Sequence, residues 1–552
     1  MARGKRARPA DDAGDEAGAA QQPTAGAGTD RRAQAAFIAR RRAAHFANFS
    51  NEDDAAEGNV HVGGDEARAL GPWSSAVELV NARQAAAEQR EQHLAQAAQA
   101  QEPEVAWVPA RDAALGPRPV GAVAPLYRLA LAVLAAHAHS LTSLVGVPDA
   151  IRSQLAAAVC AQRRLSPRVA ELFGAGVPTE LVLPDCSQLD AGAMSALLGL
   201  LLTGEGEVPQ CSDDGAPAAA AVAAQQAAQR ALAAQRALAA PVGAARLERL
   251  ELGSCGRGFV DAAAAELAAV GLPALRVLRL GAPYRLGDEA LLALVGACPG
   301  LHELAVPSAS RLTGAFLSGL PAAAPQLAAL DLSHCRGLPG ADVTALLPQL
   351  VGLARLRLDS IPEVDASVLA AAGRCPSLRA LSVAMCPRVD DAALAAFAAA
   401  RPRGAAGGWA GLDELVLDEC PAVGDAGLLA AAGAARRLRV LSLRRCARVT
   451  DAALSEVAAR GTLEALCVSG VHGAGAATAA ALASSCRDTL RALDVSFCRE
   501  LPEAALGRLV DACGRLASLS VYGCSQLTRR FVLGHGNDAL AVAGLNTSAT
   551  VA

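Results

Sequence analysis

From Leu247 onward the apolar positions fall into a repeating unit, L-x-x-L-x-L-x-x-C, that returns about every 26 residues. Full copies are Leu247-Leu250-Leu252-Cys255, Leu327-Leu330-Leu332-Cys335, Leu412-Leu415-Leu417-Cys420 and Leu438-Leu441-Leu443-Cys446. Valine takes the third apolar place in the units that begin at Leu378, Leu490 and Leu516. Four looser copies begin at Leu275, Leu301, Leu353 and Leu463, with Pro283, Ala309, Ile361 and Val471 where the cysteine would stand. That makes eleven units, and a twelfth, Leu181-x-Leu183-x-x-Cys186, stands apart. Apolar residues at alternate positions predict a short strand with one buried face. Behind each strand comes an Ala/Leu run opened by a polar residue, as in Val449-Thr450-Asp451. Asp391 and Asp425 occupy the same place, and such residues are expected to cap their helices. Cys298-Pro299, Cys375-Pro376, Cys486 and Cys513 end the helices shortly before the next strand. One strand and one helix per unit, none able to bury its core alone, predict an α/β solenoid with a parallel sheet on the concave side and helices outside.

The rest of the chain is less regular. Residues 1–70 are poor in apolar side chains and are expected to be a disordered tail. Residues 71–121 predict a helix, from the Ala/Gln/Glu run at 75–101, and a linker. Residues 122–178 predict a helical segment that caps the solenoid: Leu126, Leu129, Val133 and Leu134 recur at helical spacing, Pro148 breaks one helix, and Ile151, Leu155, Val159 and Cys160 continue in another. Ser166-Pro167 opens a third. The isolated first repeat occupies 179–202, a low-complexity insertion 203–245, the eleven repeats 246–532, and a C-terminal tail 533–552. Gly534-His535-Gly536-Asn537-Asp538-Ala539 spells GxGxxA, but too few residues follow for a βαβ unit, so it reads as tail.

Composition narrows the function. Hydrophobic residues make up 53% of the 552 and aromatic ones only 3%, so the core must be built from Leu, Val and Ala. The net charge of −4 gives no general attraction to nucleic acid or anionic membrane. Lys5 is the only lysine, which excludes the usual P-loop, kinase and Schiff-base chemistries. A coding bias toward Ala, Gly and Arg explains that depletion, so abundant arginine is weak evidence for nucleic-acid binding. The 15 cysteines lack a CxxC pair and a signal peptide precedes none of them, which points to reduced thiols in cytosol or nucleus. Successive thiols of the repeated position are whole repeats apart and no histidines interleave at ligand spacing, so they read as small buried side chains rather than as a metal ladder. The longest apolar stretch, Ala191 to Leu202, falls short of the ~20 residues of a spanning helix. His302-Glu303 is not followed by a second His, and neither G-x-S-x-G nor a metal-spaced Cys/His cluster occurs. The expectation is a non-enzyme that needs no cofactor or metal.

Two resemblances extend this. The repeat is similar to the cysteine-containing leucine-rich repeats of the ribonuclease-inhibitor-like superfamily, as in F-box/leucine-rich-repeat proteins. Pro125-Leu126-x-x-x-Ala130-x-x-x-Leu134 is similar to the box by which ubiquitin-ligase receptors dock on Elongin C, (Ser/Thr/Pro)-Leu-x-x-x-(Cys/Ser/Ala)-x-x-x-apolar, and Val147-Pro148 resembles the cullin box that follows it. The stretch from Leu141 to Cys186, with its Val-Pro-Asp turn, Arg163-Arg164-Leu165-Ser166-Pro167 and Pro178-Thr179-Glu180-Leu181-Val182-Leu183-Pro184-Asp185-Cys186, resembles the Rad-seven family of nucleotide excision repair. Gly71-Pro72-Trp73-Ser74 and Trp107-Val108-Pro109 look like pieces of its plant members. That resemblance implies a leucine-rich-repeat subunit acting with an Elongin–cullin ligase.

The expected function is therefore a non-catalytic substrate-recognition subunit of a cullin-type ubiquitin ligase in nuclear DNA repair. The adaptor-binding residues would be Pro125, Leu126, Ala130, Leu134, Val147 and Pro148. A protein substrate would lie on the concave face, where Arg279, Glu303, Asp331, Arg355, Arg357, Asp359, Glu414, Asp418 and Arg444 project from the strands. A second row, Arg257, Arg285, Arg311, Arg388 and Arg448, could track phosphates at one rim, although direct DNA contact is not the expectation. Basic pairs at Lys5-Arg6, Arg31-Arg32 and Arg40-Arg41-Arg42 suit a nuclear-import signal, with cytoplasm as the second location. The alternatives are an F-box-like receptor for a Skp-one-like adaptor and a passive cytoskeletal or ciliary scaffold.

Overall fold

The structure, a computed structural model, describes residues 107–112, 125–203, 243–401 and 411–544, all within the compact unit Ala106–Ala552. The expected 1–70 tail, the 75–101 helix, most of the 203–245 insertion and the basic N-terminal pairs lie outside the described residues.

Thirteen parallel strands form a single sheet in sequence order. They are β1 (Glu180–Leu183), β2 (Arg249–Leu252), β3 (Val277–Leu280), β4 (Glu303–Ala305), β5 (Ala329–Asp331), β6 (Arg355–Arg357) and β7 (Ala380–Ser382). There follow β8 (Glu414–Val416), β9 (Val440–Ser442), β10 (Ala465–Cys467), β11 (Ala492–Asp494), β12 (Ser518–Ser520) and β13 (Ala541–Ala543). Each of β1 to β12 is followed by a helix, and the fold is an α/β leucine-rich-repeat solenoid. The isolated first repeat joins the array directly: Leu181 pairs with Leu250 and Leu183 with Leu252, so the insertion between them leaves the register intact. Two boundaries differ from expectation. The array passes 532, because Ala541–Ala543 pairs with Ser518–Ser520 although it lacks the leucine pattern. The short Trp107–Asp112 segment lies against the C-terminal end of the array rather than in a free linker.

The repeat leucines are buried as the alternation predicts, and Phe259, Phe316, Phe397 and Phe531 are the largest fully buried side chains. Three devices join one repeat to the next. First, the residue before each ladder position turns left-handed: Ser254, Ala282, Ser308, His334, Ser360, Met385, Glu419, Arg445 and Phe497 have φ of 48 to 63°, and Gly470 and Gly523 complete the row. That turn aims its N–H at the next repeat, as in Glu419 N–H to Arg444 O (2.7 Å) and Arg445 N–H to Ser469 O (2.8 Å), and extends the sheet past the strands. Second, the cysteine thiols donate to carbonyls one repeat back: Cys446 to Leu417 O (3.1 Å), Cys498 to Val468 O (3.0 Å) and Cys386 to Leu358 O (3.3 Å).

The third device corrects an expectation. Asp391 and Asp425 do not cap their own helices; they cap the helix of the following repeat. The Asp391 carboxylate accepts from Gly424 N–H (2.7 Å) and Gly427 N–H (3.1 Å), and Asp425 accepts from Thr450 N–H (2.8 Å) and Thr450 O–H (2.7 Å). Asp451 likewise accepts from Gly475, Ala477 and Thr478 N–H groups of the next repeat. The first-turn position places the carboxylate beside the neighbouring helix end, where unpaired N–H groups and the helix dipole both favour it.

At the N-terminal end, three helices cover the first repeat: α1 (Leu126–Ala136), α2 (Asp149–Ala161) and α3 (Pro167–Gly174). Leu155, Val159, Val169, Leu172 and Phe173 are buried in the common core, whereas Ile151, grouped with them by its spacing, is 40% exposed.

Candidate functional site

The first candidate surface is α1. Pro125 opens the helix with φ −52° and ψ 142°, the extended geometry that precedes a helix without a side-chain cap. Only Ala135 is buried, with Leu131 partly packed on the core. At 100° per residue, Leu126, Ala130 and Val133 fall on the opposite face from Ala135, with Leu134 on its flank. Leu126 is 81% exposed and Val133 60%, and Tyr127, Leu129 and Leu134 are exposed beside them. This is an apolar helix face with solvent against it. Of the residues expected here, the structure gathers Pro125, Leu126, Ala130 and Leu134 at one surface and sets Val147 and Pro148 apart, in the turn before α2. Pro148 is exposed and Val147 half-buried against the core. Tyr127, Leu129 and Val133 belong to the exposed face; leucine spacing pointed to two of them, and nothing in the sequence distinguished the face that packs from the face that stays open.

What holds this surface in place is a set of polar contacts. The buried Arg152 donates to Leu172 O (3.1 Å), Phe173 O (3.1 Å) and Ala175 O (2.6 Å), the open carbonyls at the end of α3. Burial lowers its pKa while nearby Asp149 works the other way. Asp149 accepts from Thr179 N–H (3.0 Å) and O–H (2.6 Å), fastening α2 to the start of β1. Gln162 donates to Ala132 O (3.3 Å) and Arg164 to Ala136 O, pinning the end of α1. Sequence reasoning missed Arg152 because an arginine on an amphipathic helix carries no mark that it will turn inward.

The second surface is the concave face, a trough of about 660 Å³ running from Val182 to Arg444. The strand register sets side chains of successive repeats side by side, so Glu251 lies next to Arg279 and Asp331 next to Arg357. One charge chain runs Arg249–Glu251–Arg279–Glu303–Arg355: Arg279 is 3.0 Å from Glu251 and donates to Glu303 (2.7 Å), whose second oxygen accepts from Arg355 (2.8 Å). In the next, Arg357 donates to Asp359 (3.2 Å) and lies 3.9 Å from Asp331. Asp359 is buried and also accepts from Ser382 O–H (2.6 Å) and Ala384 N–H (2.9 Å). Asp418 accepts from Ser442 O–H and Arg444 N–H (2.9 Å), with the Arg444 guanidinium at 3.4 Å. Burial works against the charge on Arg357, yet Asp331, Asp359 and Glu414 together outweigh it and its pKa rises. Carboxylates lie deep and guanidiniums reach outward: the Arg355 side chain is 60% exposed against 15% for Glu303. Such oriented guanidiniums present planar donor pairs to a carboxylate, phosphate or peptide carbonyl.

The rim arginines have other work. Arg311 donates to Arg285 O (2.8 Å), Arg448 to Ala422 O (3.0 Å), Arg285 to Arg257 O (3.5 Å), and Arg388 pairs with Glu363 (3.0 Å). These contacts bridge repeats and engage four of the five guanidiniums; Arg257 enters them through its backbone carbonyl. Among the described residues no three His, Cys, Asp or Glu side chains gather where a metal could bind, and no helix is long and apolar enough to cross a membrane.

No protein-family model matches the chain, and no curated protein matches it. Among solved structures, the chain is similar to a chain of the yeast Rad7–Elc1 complex, at 20% identity and a TM-score of 0.55, covering 76% of this chain and 92% of that one. It is also similar to the leucine-rich-repeat protein LegL7 of Legionella pneumophila (12% identity, TM-score 0.33, 51% and 85% covered) and to an internalin of Listeria monocytogenes (15%, 0.32, 54% and 81%). Identities this low speak for the fold alone.

Proposed function

We propose that this chain is a substrate receptor of a cullin-type ubiquitin ligase, with α1 binding an Elongin C-like adaptor and the concave trough holding a protein substrate. The observation that carries the reading is the α1 face: five large apolar side chains exposed on one short helix whose other side is fixed to the cap. A helix laid in an apolar groove is recognised through anchors at this spacing, and Leu126, the most exposed, would be the deepest. Likeness in fold to a chain of a Rad7–Elc1 complex supports the reading. Such a receptor contributes proximity: the substrate on the Arg355–Arg357 stretch is brought near a separate ubiquitin-carrying enzyme. A nuclear location and a role in nucleotide excision repair are the most specific form of the proposal.

The test is co-purification with the intact chain and with Leu126→Ala combined with Ala130→Asp. The expected result is an Elongin C-like adaptor and a cullin with the first and neither with the second. Recovery of a Skp-one-like adaptor instead would make the chain an F-box-like receptor. Partners that are unchanged between the two chains would make it a scaffold. Direct DNA binding would appear as affinity falling steeply with salt.

A further inference from the structure

We infer that the C-terminal end of the solenoid carries a built tryptophan socket, and that residues 107–112 of the same chain are its ligand and form the end cap of the array. Trp107 is 4% exposed although it lies 404 residues from its hydrogen-bond partner: its Nε1–H donates to Asp511 Oδ2 (2.7 Å). The other oxygen of Asp511 accepts from Gly536 N–H (2.5 Å), so one carboxylate ties the tryptophan to the last turn of the array. The indole packs 6.3 Å from the Phe531 ring, and the Arg530 guanidinium lies 5.6 Å from the indole and donates to Trp107 O. Arg111 N–H donates to Gly534 O (2.9 Å).

Three glycines make the room. A Cβ on Gly507 would collide with the indole ring, one on Gly534 would stand 2.5 Å from Pro109 Cβ, and one on Gly536 would stand 3.0 Å from Ala110 Cβ. Gly507 sits inside the helix Glu503–Ala512, where a glycine costs roughly 0.5–1 kcal/mol relative to alanine; unlike Gly433, which has open space around it in its own helix, it has a local steric reason. The Gly534 and Gly536 of the GxGxxA run acquire one too: they form the floor of this socket rather than a phosphate loop. A solenoid leaves an apolar face at each end, and α1–α3 cover only the first. The ligand class is a tryptophan followed two residues later by proline, in an extended segment that offers a backbone N–H and a carbonyl.

The test uses the full chain and reads amide hydrogen exchange, with no adaptor present, so it stands apart from the ligase reading. In Gly507→Ala, helix propensity alone predicts slower exchange in 503–512. A working clip predicts the reverse: exchange at least tenfold faster in peptides covering 107–112 and 529–537, with β2–β9 unchanged as the internal control. Trp107→Ala should reproduce the loss at 529–537. Unchanged or slower exchange at 529–537 in Gly507→Ala would overturn the inference, as would full protection of 529–537 in Trp107→Ala.

Discussion

A thiol at the end of a strand is small enough for the turn and still donates a hydrogen bond. Cys446→Ala removes one of the two donors to Leu417 O, leaving that carbonyl only the longer bond from Cys420 N–H (3.3 Å), and empties the space of the sulfur. We expect a loss of about 1–2 kcal/mol in urea unfolding, with the m-value unchanged. Burial also pushes these thiols up from their ordinary 9.0, Cys446 and Cys498 to about 12 and Cys335 and Cys420 to about 11. A thiol whose folded pKa is raised favours the fold while protonated: its contribution is complete below pH 9 and is lost as pH rises through about 11–12. Stability should therefore fall steadily above pH 9, and the native thiols should resist alkylation at pH 8, both measurable with the intact chain. The left-handed position makes a second prediction, with the sign opposite to the usual one. Ala282→Gly should leave stability equal or higher, because φ is +50° there, and Gly470→Ala, at +73°, should cost about 1 kcal/mol.

At the scale of elements, the leucine spacing made strands and helices legible, because burial of one strand face is a local rule that each unit repeats. The ladder cysteine and the parallel order followed from the same rule. Less legible was anything that depends on the neighbour. Asp391 reads in sequence as a cap for the helix it opens, and only the stacking shows that its carboxylate belongs to Gly424 and Gly427 of the next one. Ala541–Ala543 has no leucines to announce a strand and is recruited by the open edge of β12. The α1 residues were legible as apolar and helical, but which face stays open was decided by Arg152, Gln162 and Arg164, whose carbonyl partners are distant in sequence. Because the Asp bridge joins repeats, Asp451→Ala should cost about 1–2 kcal/mol and raise hydrogen exchange at the start of the helix Ala476–Ser485 rather than in its own helix.

For the whole molecule, the concave trough and α1 are separate surfaces of one compact unit, so their losses should separate. Arg355→Glu places a carboxylate beside Glu303 and reverses the most exposed guanidinium of the charge chain. Under the receptor reading, substrate recovery should fall tenfold or more while adaptor recovery is unchanged. The same recovery should weaken with salt, since the Debye length shortens from ~10 Å at 0.1 M to ~3 Å at 1 M.

The contact between Trp107 and Asp511 also has a consequence in time. A ribosome adds roughly 5–20 residues per second, so the 404 residues between them take about 20–80 s to make. Through that interval the indole has been synthesised and its socket has not. The first repeats can stack as they emerge, but the end of the molecule can close only after translation has delivered residues 503–537. A transcript truncated before that point would release a chain whose tryptophan has no socket to enter and whose last repeat stays uncapped.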